Sequence, residues 1–145
     1  MTVEWMNHTG LPVASMEKAL KFYQELFGLS VEMDRILEGD ILESMTGEPG
    51  IKVHIAYLGN GDGRHSVELV EWLNPKAKIE HRNNIGAPHL GVFVDNVDHL
   101  YRKAVDMGIK MSNAPAIIED AVYPSAKKIW LTQDIDGNWL EIMER

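Results

Sequence analysis

Two histidines and two glutamates recur at matching places in the two halves of this 145-residue chain. His8 and His89 each begin the pattern His-x-Gly-x-x-Val, and they lie 89 − 8 = 81 residues apart. Glu68 and Glu141 each stand between two aliphatic residues near the end of their half. Imidazole and carboxylate groups suit Zn, Ni, Co, Fe(II) or Mn, and the lack of cysteine excludes a thiolate site. The four residues are therefore candidate ligands of a divalent metal.

An ordinary structural role is the alternative for each of these residues taken singly. A histidine at the start of a strand is often a plain polar residue, and a strand glutamate often faces solvent. A glutamate within an apolar strand is costly to leave unpaired, however, and a metal ion is one way to stabilise it. The recurrence of both residue types in both halves favours ligation.

The first half is predicted to have the element order β-α-β-β-β. A strand over residues 3–11 carries His8, and Ser15 is a candidate N-cap for the helix that follows. Gly28 is expected to end that helix in the left-handed conformation. The apolar stripe that marks the helix consists of Met16, Ala19, Leu20, Tyr23, Leu26 and Phe27.

Three further strands are predicted in the first half. The first of them spans residues 29–37 and is followed by an irregular acidic stretch over 38–50, which we interpret as a mobile flap. Residues 51–58 alternate in polarity, with Val53, Ile55 and Tyr57 on one face. A hairpin turn over 60–63 leads into the last strand, over 65–73.

The second half repeats this order. A strand over 87–94 carries His89, Asp95 or Asn96 caps the next helix, and Gly108 ends it. The remaining predicted elements are a short strand near Lys110, a loop over 114–125, strands over 127–133 and 139–144, and a tight hairpin loop over 134–138.

Strand parity predicts which side of its sheet each glutamate occupies, because side chains two residues apart share a face. Glu68 shares a face with Ser66, Val70 and Trp72, and Glu141 shares one with Trp139 and Met143. We expect the opposite, aliphatic faces to pack under the helices. The predicted fold class is α+β, with two tandem βαβββ modules that form a curved, cup-shaped mixed sheet carrying its helices on the outer face. The chain is interpreted as a single domain, 1–145, with module 1 over about 1–73, a linker over about 74–86 and module 2 over about 87–145.

This pattern resembles the vicinal oxygen chelate superfamily, which includes glyoxalase I, methylmalonyl-CoA epimerase, extradiol dioxygenases and the fosfomycin and bleomycin resistance proteins. The resemblance covers essentially the whole chain, which looks like a single glyoxalase-like domain. His8 matches the first-strand ligand of the family and Glu68, in His65-Ser66-Val67-Glu68-Leu69, the fourth-strand ligand of glyoxalases. His89 matches the fifth-strand ligand, and Glu141 matches the last-strand glutamate that follows an Asp-Gly-Asn hairpin.

The resemblance implies a metal-dependent enzyme of the glyoxalase or epimerase type. Such an enzyme transfers a proton next to a carbonyl through a metal-bound enediolate, as an isomerase, epimerase or lyase, with one divalent ion (Ni, Co, Zn, Mn or Fe) at each site. By the family pattern Glu141 is the catalytic base and Glu68 its counterpart. The implied partners are a small carbonyl-containing substrate and a second copy of the chain in a homodimer.

Two other functions remain open. An Fe(II)-dependent extradiol-type dioxygenase uses two histidines and one glutamate, and the second carboxylate, Glu68, speaks against it. A non-catalytic binding protein of the antibiotic-resistance type tends to lack the ligands, so the presence of all four favours an enzyme.

Three residues are candidates for binding substrate. Glu48 lies in a region where epimerases of the family carry a second glutamate, and its alternative role is a solvated acidic loop. His54 could lie on the concave face, and Lys127 is one of the basic residues available to an anionic substrate.

Composition excludes several classes of partner. The net charge of −8 argues against binding to nucleic acid, and no apolar run approaches the roughly 20 residues of a membrane span. The N-terminus lacks the pattern of a secretory signal, from which we expect a cytoplasmic protein.

Overall fold

Two units of matching element order build the structure, a computed structural model that describes residues 7–62, 64–77, 89–109, 113–117 and 126–145. The units are Met1–Ile79 and Glu80–Arg145. Their boundary falls within the segment 74–86 that the sequence predicts as the linker. Within the described ranges, no helix has both the length and the apolar character needed to cross a membrane.

Unit 1 forms a mixed sheet in which the first strand lies beside the last. Its strands are ordered β1-β4-β3-β2, where β1 runs parallel to β4 and the other neighbours are antiparallel. The elements in chain order are β1 (His8–Pro12), α1 (Met16–Phe27), β2 (Ser30–Glu38), α2 (Asp40–Thr46), β3 (Lys52–Gly59) and β4 (Ser66–Asn74).

Unit 2 has the same arrangement of strands. Their order is β5-β8-β7-β6, with β5 parallel to β8 and antiparallel pairs elsewhere. The elements are β5 (His89–Val94), α3 (Val97–Asp106), β6 (Ala116–Ile117), β7 (Lys128–Gln133) and β8 (Trp139–Glu144). The predicted α+β class with two tandem βαβββ modules is confirmed.

The helices pack on the sheet faces that the aliphatic residues predicted. Helix α1 packs against β2, β3 and β4, and α3 packs against β7 and β8. In unit 1 the residues Leu11, Ala56, Leu58 and Leu69 are all buried on the face beneath α1. Gly28 follows α1 with a φ of 72°, in the left-handed conformation that the sequence predicted.

Helix α2 corrects the prediction of an irregular stretch over 38–50. Gly39 and Gly47 flank it, both with positive φ. Each of its residues is at least partly exposed, and Ile41 and Met45 are 80% and 78% exposed. Because α2 presents no buried stripe, its sequence lacks the apolar periodicity from which a helix is recognised.

Strand β6 corrects a second prediction, since it lies inside the segment 114–125 that was predicted as a loop. The strand predicted near Lys110 lies outside the described residues, as do the first residues of the strands predicted over 3–11 and 87–94. A strand of two residues, Ala116 and Ile117, is too short to show the alternation that identifies one.

Candidate functional site

A histidine–glutamate pair lies on one face of the unit 1 sheet. His8 Nε2 is 3.4 Å from Glu68 Oε2. The pair forms because β1 and β4 are parallel neighbours in a register that sets Gly10 beside Glu68, so that His8 and Glu68 lie diagonally on the same face. The Glu68 side chain is only 18% exposed, so its carboxylate is largely removed from water.

Unit 2 contains the equivalent pair with the same spacing. His89 Nε2 is 3.4 Å from Glu141 Oε2, and the Glu141 side chain is 14% exposed. The parallel register of β5 with β8 sets Gly91 beside Glu141, as Gly10 is set beside Glu68. The two halves of the chain therefore build the same two-residue arrangement independently.

The glycine of the first His-x-Gly pattern makes room for the carboxylate. A Cβ atom at Gly10 would lie 3.3 Å from Glu68 Oε2, closer than an ordinary contact. A Cβ atom at Gly91 would lie 3.4 Å from Met143 Cε and at an ordinary contact distance of 3.8 Å from Glu141 Oε2. Glycine at position 10 thus lets Glu68 extend across the neighbouring strand towards His8, whereas the Glu141 carboxylate is less dependent on Gly91.

The His8 ring is held by a hydrogen bond on its other side. His8 Nδ1 lies 2.8 Å from the side-chain oxygen of Asn7, which accepts a hydrogen bond from that nitrogen. With Nδ1 as the donor to Asn7, Nε2 is the ring nitrogen that faces Glu68. A histidine whose other nitrogen is held in this way has the usual arrangement of a metal ligand.

The spacing within each pair fits two ligands of one metal ion. With ligand bonds of about 2.1 Å and bond angles of about 90 to 110°, two donor atoms lie about 3.0 to 3.4 Å apart. The described residues contain no cluster of three or more histidine, aspartate or glutamate side chains that could hold a metal, so the structure supplies two ligand pairs. Their imidazole and carboxylate donors match the metals that the sequence predicted.

Tyr57 is a residue of this site that sequence reasoning missed. It lies opposite Glu68 across the β3–β4 pairing, its ring meets the His8 ring edge-on at 5.2 Å, and its hydroxyl is 3.3 Å from His8 Nδ1. Burial raises the pKa of Tyr57 above its ordinary value of 10.0, and a hydrogen bond to Glu68 and the charge of that carboxylate raise the pKa further. The alternation of β3 and the hairpin turn that follows it could have indicated this position.

His54 lies on the other face of the sheet, so the expectation that it shares a face with Glu68 is wrong. The register pairs His54 with Glu71 and Tyr57 with Glu68, and residues 54 and 57 have opposite parity. His54 Nε2 lies 2.5 Å from Asp34 Oδ1. A role for His54 in binding substrate stays a prediction.

The other two substrate candidates are exposed, and each donates a hydrogen bond through its backbone N–H. Glu48 follows α2, and its N–H donates to the Thr46 hydroxyl at 3.3 Å. The N–H of Lys127 donates to the carbonyl of Glu144 at 2.7 Å, just before β7 begins. A role for either side chain in binding substrate stays a prediction.

A second carboxylate reaches the Glu68 face from a β-bulge in β2. The pairing of β2 with β3 shifts between Val31 and Met33, which leaves Glu32 at the irregularity. Glu32 Oε2 accepts a hydrogen bond of 2.9 Å from Ser66, and a Cβ at Gly59 would overlap Glu32 Oε1. Glycine at position 59 therefore gives the Glu32 carboxylate its path across the strand.

Beyond these polar groups the same face of unit 1 is apolar. Ile51, Val53 and Ile55 are buried there, and Trp72 and Leu42 pack against them. Leu42 comes from α2, so the short helix covers one end of this face. Trp130, in contrast, is a buried core residue of unit 2.

Comparison with known proteins gives a family and a fold. The model of the Glyoxalase/Bleomycin resistance protein/Dioxygenase superfamily matches residues 5–142. The uncharacterized protein YwbC of Bacillus subtilis (strain 168) is 25% identical over 141 residues, which are 97% of each chain.

Two solved structures have the same fold. A glyoxalase family protein from Bacillus cereus superposes with a TM-score of 0.79 at 22% identity, over 99% of this chain and 95% of that one. A glyoxalase I mutant from Zea mays superposes with a TM-score of 0.69 at 22% identity, over 97% of this chain and 45% of the maize chain.

Proposed function

The chain belongs to the Glyoxalase/Bleomycin resistance protein/Dioxygenase superfamily, and on that basis we propose that it is a metal-dependent enzyme that transfers a proton next to a carbonyl group. The proposed substrate is a small carbonyl compound, and the reaction is an isomerisation, an epimerisation or the formation or cleavage of a bond beside the carbonyl. The observation that carries the proposal is the equal separation of 3.4 Å in the His8–Glu68 and His89–Glu141 pairs.

His8, Glu68, His89 and Glu141 are the proposed ligands of a divalent ion. When bound, such an ion supplies a Lewis acid, which lowers the pKa of the carbon next to a coordinated carbonyl. The two histidines would supply nitrogen donors to the ion, and Glu68 would supply a carboxylate oxygen. The proposed metal is Ni, Co, Zn, Mn or Fe, because these metals accept imidazole and carboxylate together.

Glu141 is the proposed general base and then general acid. A carboxylate within reach of the substrate can take the proton from carbon and return it to the same or the neighbouring carbon. The Glu141 side chain is 14% exposed and lies 3.4 Å from His89 Nε2, which supports a role within the same site. Glu68 is its proposed counterpart.

A homodimer is the proposed assembly, in which each site would take its ligands either from one chain or from two copies. An Fe(II)-dependent ring-cleaving dioxygenase and a binding protein without catalysis are the competing functions within the same superfamily. Both are outcomes of the experiment that follows.

The test is the metal content of protein purified without added metal or chelator, measured by elemental analysis beside single variants of the ligands. We expect about one ion per site in the wild type and its loss in His8→Ala and His89→Ala. Glu68→Gln and Glu141→Gln are expected to bind more weakly. His99→Ala, an exposed histidine on α3, and Glu25→Gln, an exposed glutamate on α1, are matched controls that should keep the metal.

Activity is then followed as solvent deuterium entering the carbon next to the carbonyl in a panel of small carbonyl compounds. Exchange that requires metal and Glu141 supports the proposed enzyme. Iron in the purified protein, with oxygen consumed in the presence of catechols, would favour the dioxygenase. A protein that takes up no divalent metal on titration contradicts the proposal and leaves the binding protein.

A further inference from the structure

We propose that Tyr57 is a positioning residue that fixes Glu68 beside His8, and that this hydroxyl makes Glu68 the fixed ligand and leaves Glu141 as the carboxylate that moves protons. The inference rests on the proposed function and deepens it. It concerns one respect in which the surroundings of the two His–Glu pairs differ, namely the residue opposite each glutamate on β3 and β7.

The two units differ at the residue directly opposite each glutamate. Tyr57 on β3 is the cross-strand partner of Glu68, and Leu131 on β7 is the cross-strand partner of Glu141. Both positions lie on the same face as their glutamate, because residues directly opposite in an antiparallel pair share a face. Equivalent places in the two units therefore carry a hydroxyl donor and an aliphatic side chain.

The hydroxyl of Tyr57 connects the two members of its pair. Its oxygen lies 3.3 Å from His8 Nδ1, and Tyr57 is the cross-strand partner of Glu68. A hydrogen bond with Glu68 is among the causes that raise the pKa of Tyr57, and the phenol is the donor in it because a carboxylate only accepts. The network fixes the histidine ring and the carboxylate together.

The Tyr57 ring is itself held in place. It packs against the buried cluster of Ile51, Val53 and Ile55, and it meets the His8 ring edge-on. A hydroxyl on a ring packed in this way has little freedom to leave Glu68. Hydrogen bonds from such outer residues orient metal ligands and raise the affinity of the site.

Within the described part of unit 2, the polar side chain beside Glu141 is His89, and no hydroxyl group takes the place of Tyr57 opposite this glutamate. Leu131 can pack against the carboxylate but cannot donate to it. A ligand is most useful when it is fixed, whereas a general base must approach the carbon and retreat with its proton. The difference between Tyr57 and Leu131 assigns the two glutamates to these separate tasks.

The experiment is a titration of metal-free protein with Co²⁺, followed by the visible spectrum of the bound ion. We expect Tyr57→Phe to weaken Co²⁺ binding by about 10- to 100-fold, the range typical of a lost outer hydrogen bond to a ligand. Tyr101→Phe removes a hydroxyl from a tyrosine that packs edge-on against Trp130 in unit 2, and it should leave the affinity unchanged.

A double-mutant cycle separates positioning from a general loss of structure. If Tyr57 acts through Glu68, Tyr57→Phe should weaken binding in the wild type and have little further effect in Glu68→Gln. A variant that merely loosens the fold would weaken Co²⁺ binding equally in both backgrounds.

Leu131→Tyr is expected to slow deuterium exchange while Co²⁺ binding is kept, because the new hydroxyl would restrain Glu141.

The outcomes distinguish the two proposals. If the wild-type protein binds Co²⁺ and Tyr57→Phe binds it with the same affinity, the role of Tyr57 is overturned and the proposed function stays in place. An equal loss in both backgrounds of the cycle also overturns it. Wild-type protein that binds no Co²⁺ or other divalent metal overturns the proposed function and this inference together.

Discussion

The side chain of Glu71 accepts a hydrogen bond of 2.9 Å from the backbone N–H of Met16, the first residue of α1. Glu144 does the same for Val97, the first residue of α3, at 2.7 Å. Each of these glutamates follows a candidate ligand by three residues in its strand, so the two carboxylates point to opposite faces. One face of the strand thus receives a candidate metal ligand, and the other face receives an acceptor for a helix N-terminus.

Replacing Glu71 with alanine is expected to destabilise unit 1 without emptying the metal site. Within the described residues the Ser15 hydroxyl makes no capping hydrogen bond, so Glu71 is the side chain that accepts a hydrogen bond from the first N–H group of α1. The loss of such an acceptor typically costs about 0.5–2 kcal/mol. Denaturant unfolding measures the change, and metal content should stay at the wild-type value.

Glu144→Ala serves as the comparison, and its cost should be smaller. Helix α3 keeps a second acceptor, because the side chain of Asn96 accepts from the N–H of His99 at 2.7 Å. Glu25→Ala, at an exposed position of α1, controls for the change of charge. Equal destabilisation by Glu71→Ala and Glu25→Ala would contradict the capping role.

Gly10→Ala should weaken metal binding more than Gly91→Ala. The added methyl group at position 10 would press on Glu68 Oε2 at 3.3 Å, and the Tyr57 hydrogen bond limits how far that carboxylate can yield. At position 91 the nearest atom is the flexible end of Met143, and Glu141 Oε2 lies at an ordinary contact distance of 3.8 Å. We expect a loss of affinity on the order of tenfold for Gly10→Ala and little change for Gly91→Ala.

Titration with Co²⁺ measures both glycine variants, and thermal unfolding of the metal-free proteins is the control. Glycine is less favourable than alanine within a strand, so a variant that melts normally but binds weakly identifies the contact with Glu68 as the cause. Equal affinities for the two variants would show that Glu68 yields as easily as Met143.

Tyr57 should make the metal-free protein lose stability at alkaline pH. Its pKa is raised in the folded state, so folding favours the neutral phenol. The stabilising contribution is complete below the unfolded-state pKa of about 10 and is lost as the pH rises through the higher folded-state pKa. Denaturant unfolding at a series of pH values from about 8 to 11 measures this loss.

The comparison for that series is Tyr57→Phe, in which the phenol is absent. Other tyrosines and lysines titrate in the same range, so the informative quantity is the stability of the wild type minus that of the variant. This difference should fall as the pH rises above about 10. A difference that stays constant across the series would mean that Tyr57 has the same pKa in the folded and unfolded chain.

Much of the fold followed from local patterns in the sequence. The stripe from Met16 to Phe27 and the positive φ of Gly28 follow from spacing and backbone sterics, and both are read within one helix. The strand positions of His8 and Glu68 followed from alternation in the same way. Because the same pattern recurs in the second half, it supports these interpretations more strongly than the pattern of one half alone would.

Pairing between strands is the information that the local patterns lacked. Alternation along β3 puts Tyr57 and His54 on opposite faces but does not say which face meets Glu68, and only the register with β4 decides this. The roles of Glu71 and Glu144 were missed for a related reason. A glutamate three residues after another looks like an exposed strand residue until the helix that it caps has been placed.

The parallel pairing of the first and last strands of each unit also has a consequence for the order of folding. His8 and Glu68 are 68 − 8 = 60 residues apart, and His89 and Glu141 are 141 − 89 = 52 residues apart. Contacts of such separation form late, after the intervening hairpins and helix have collapsed. Each pair is therefore complete only when the first and last strands of its unit have paired. A cation bound there would hold these two strands together and slow their separation.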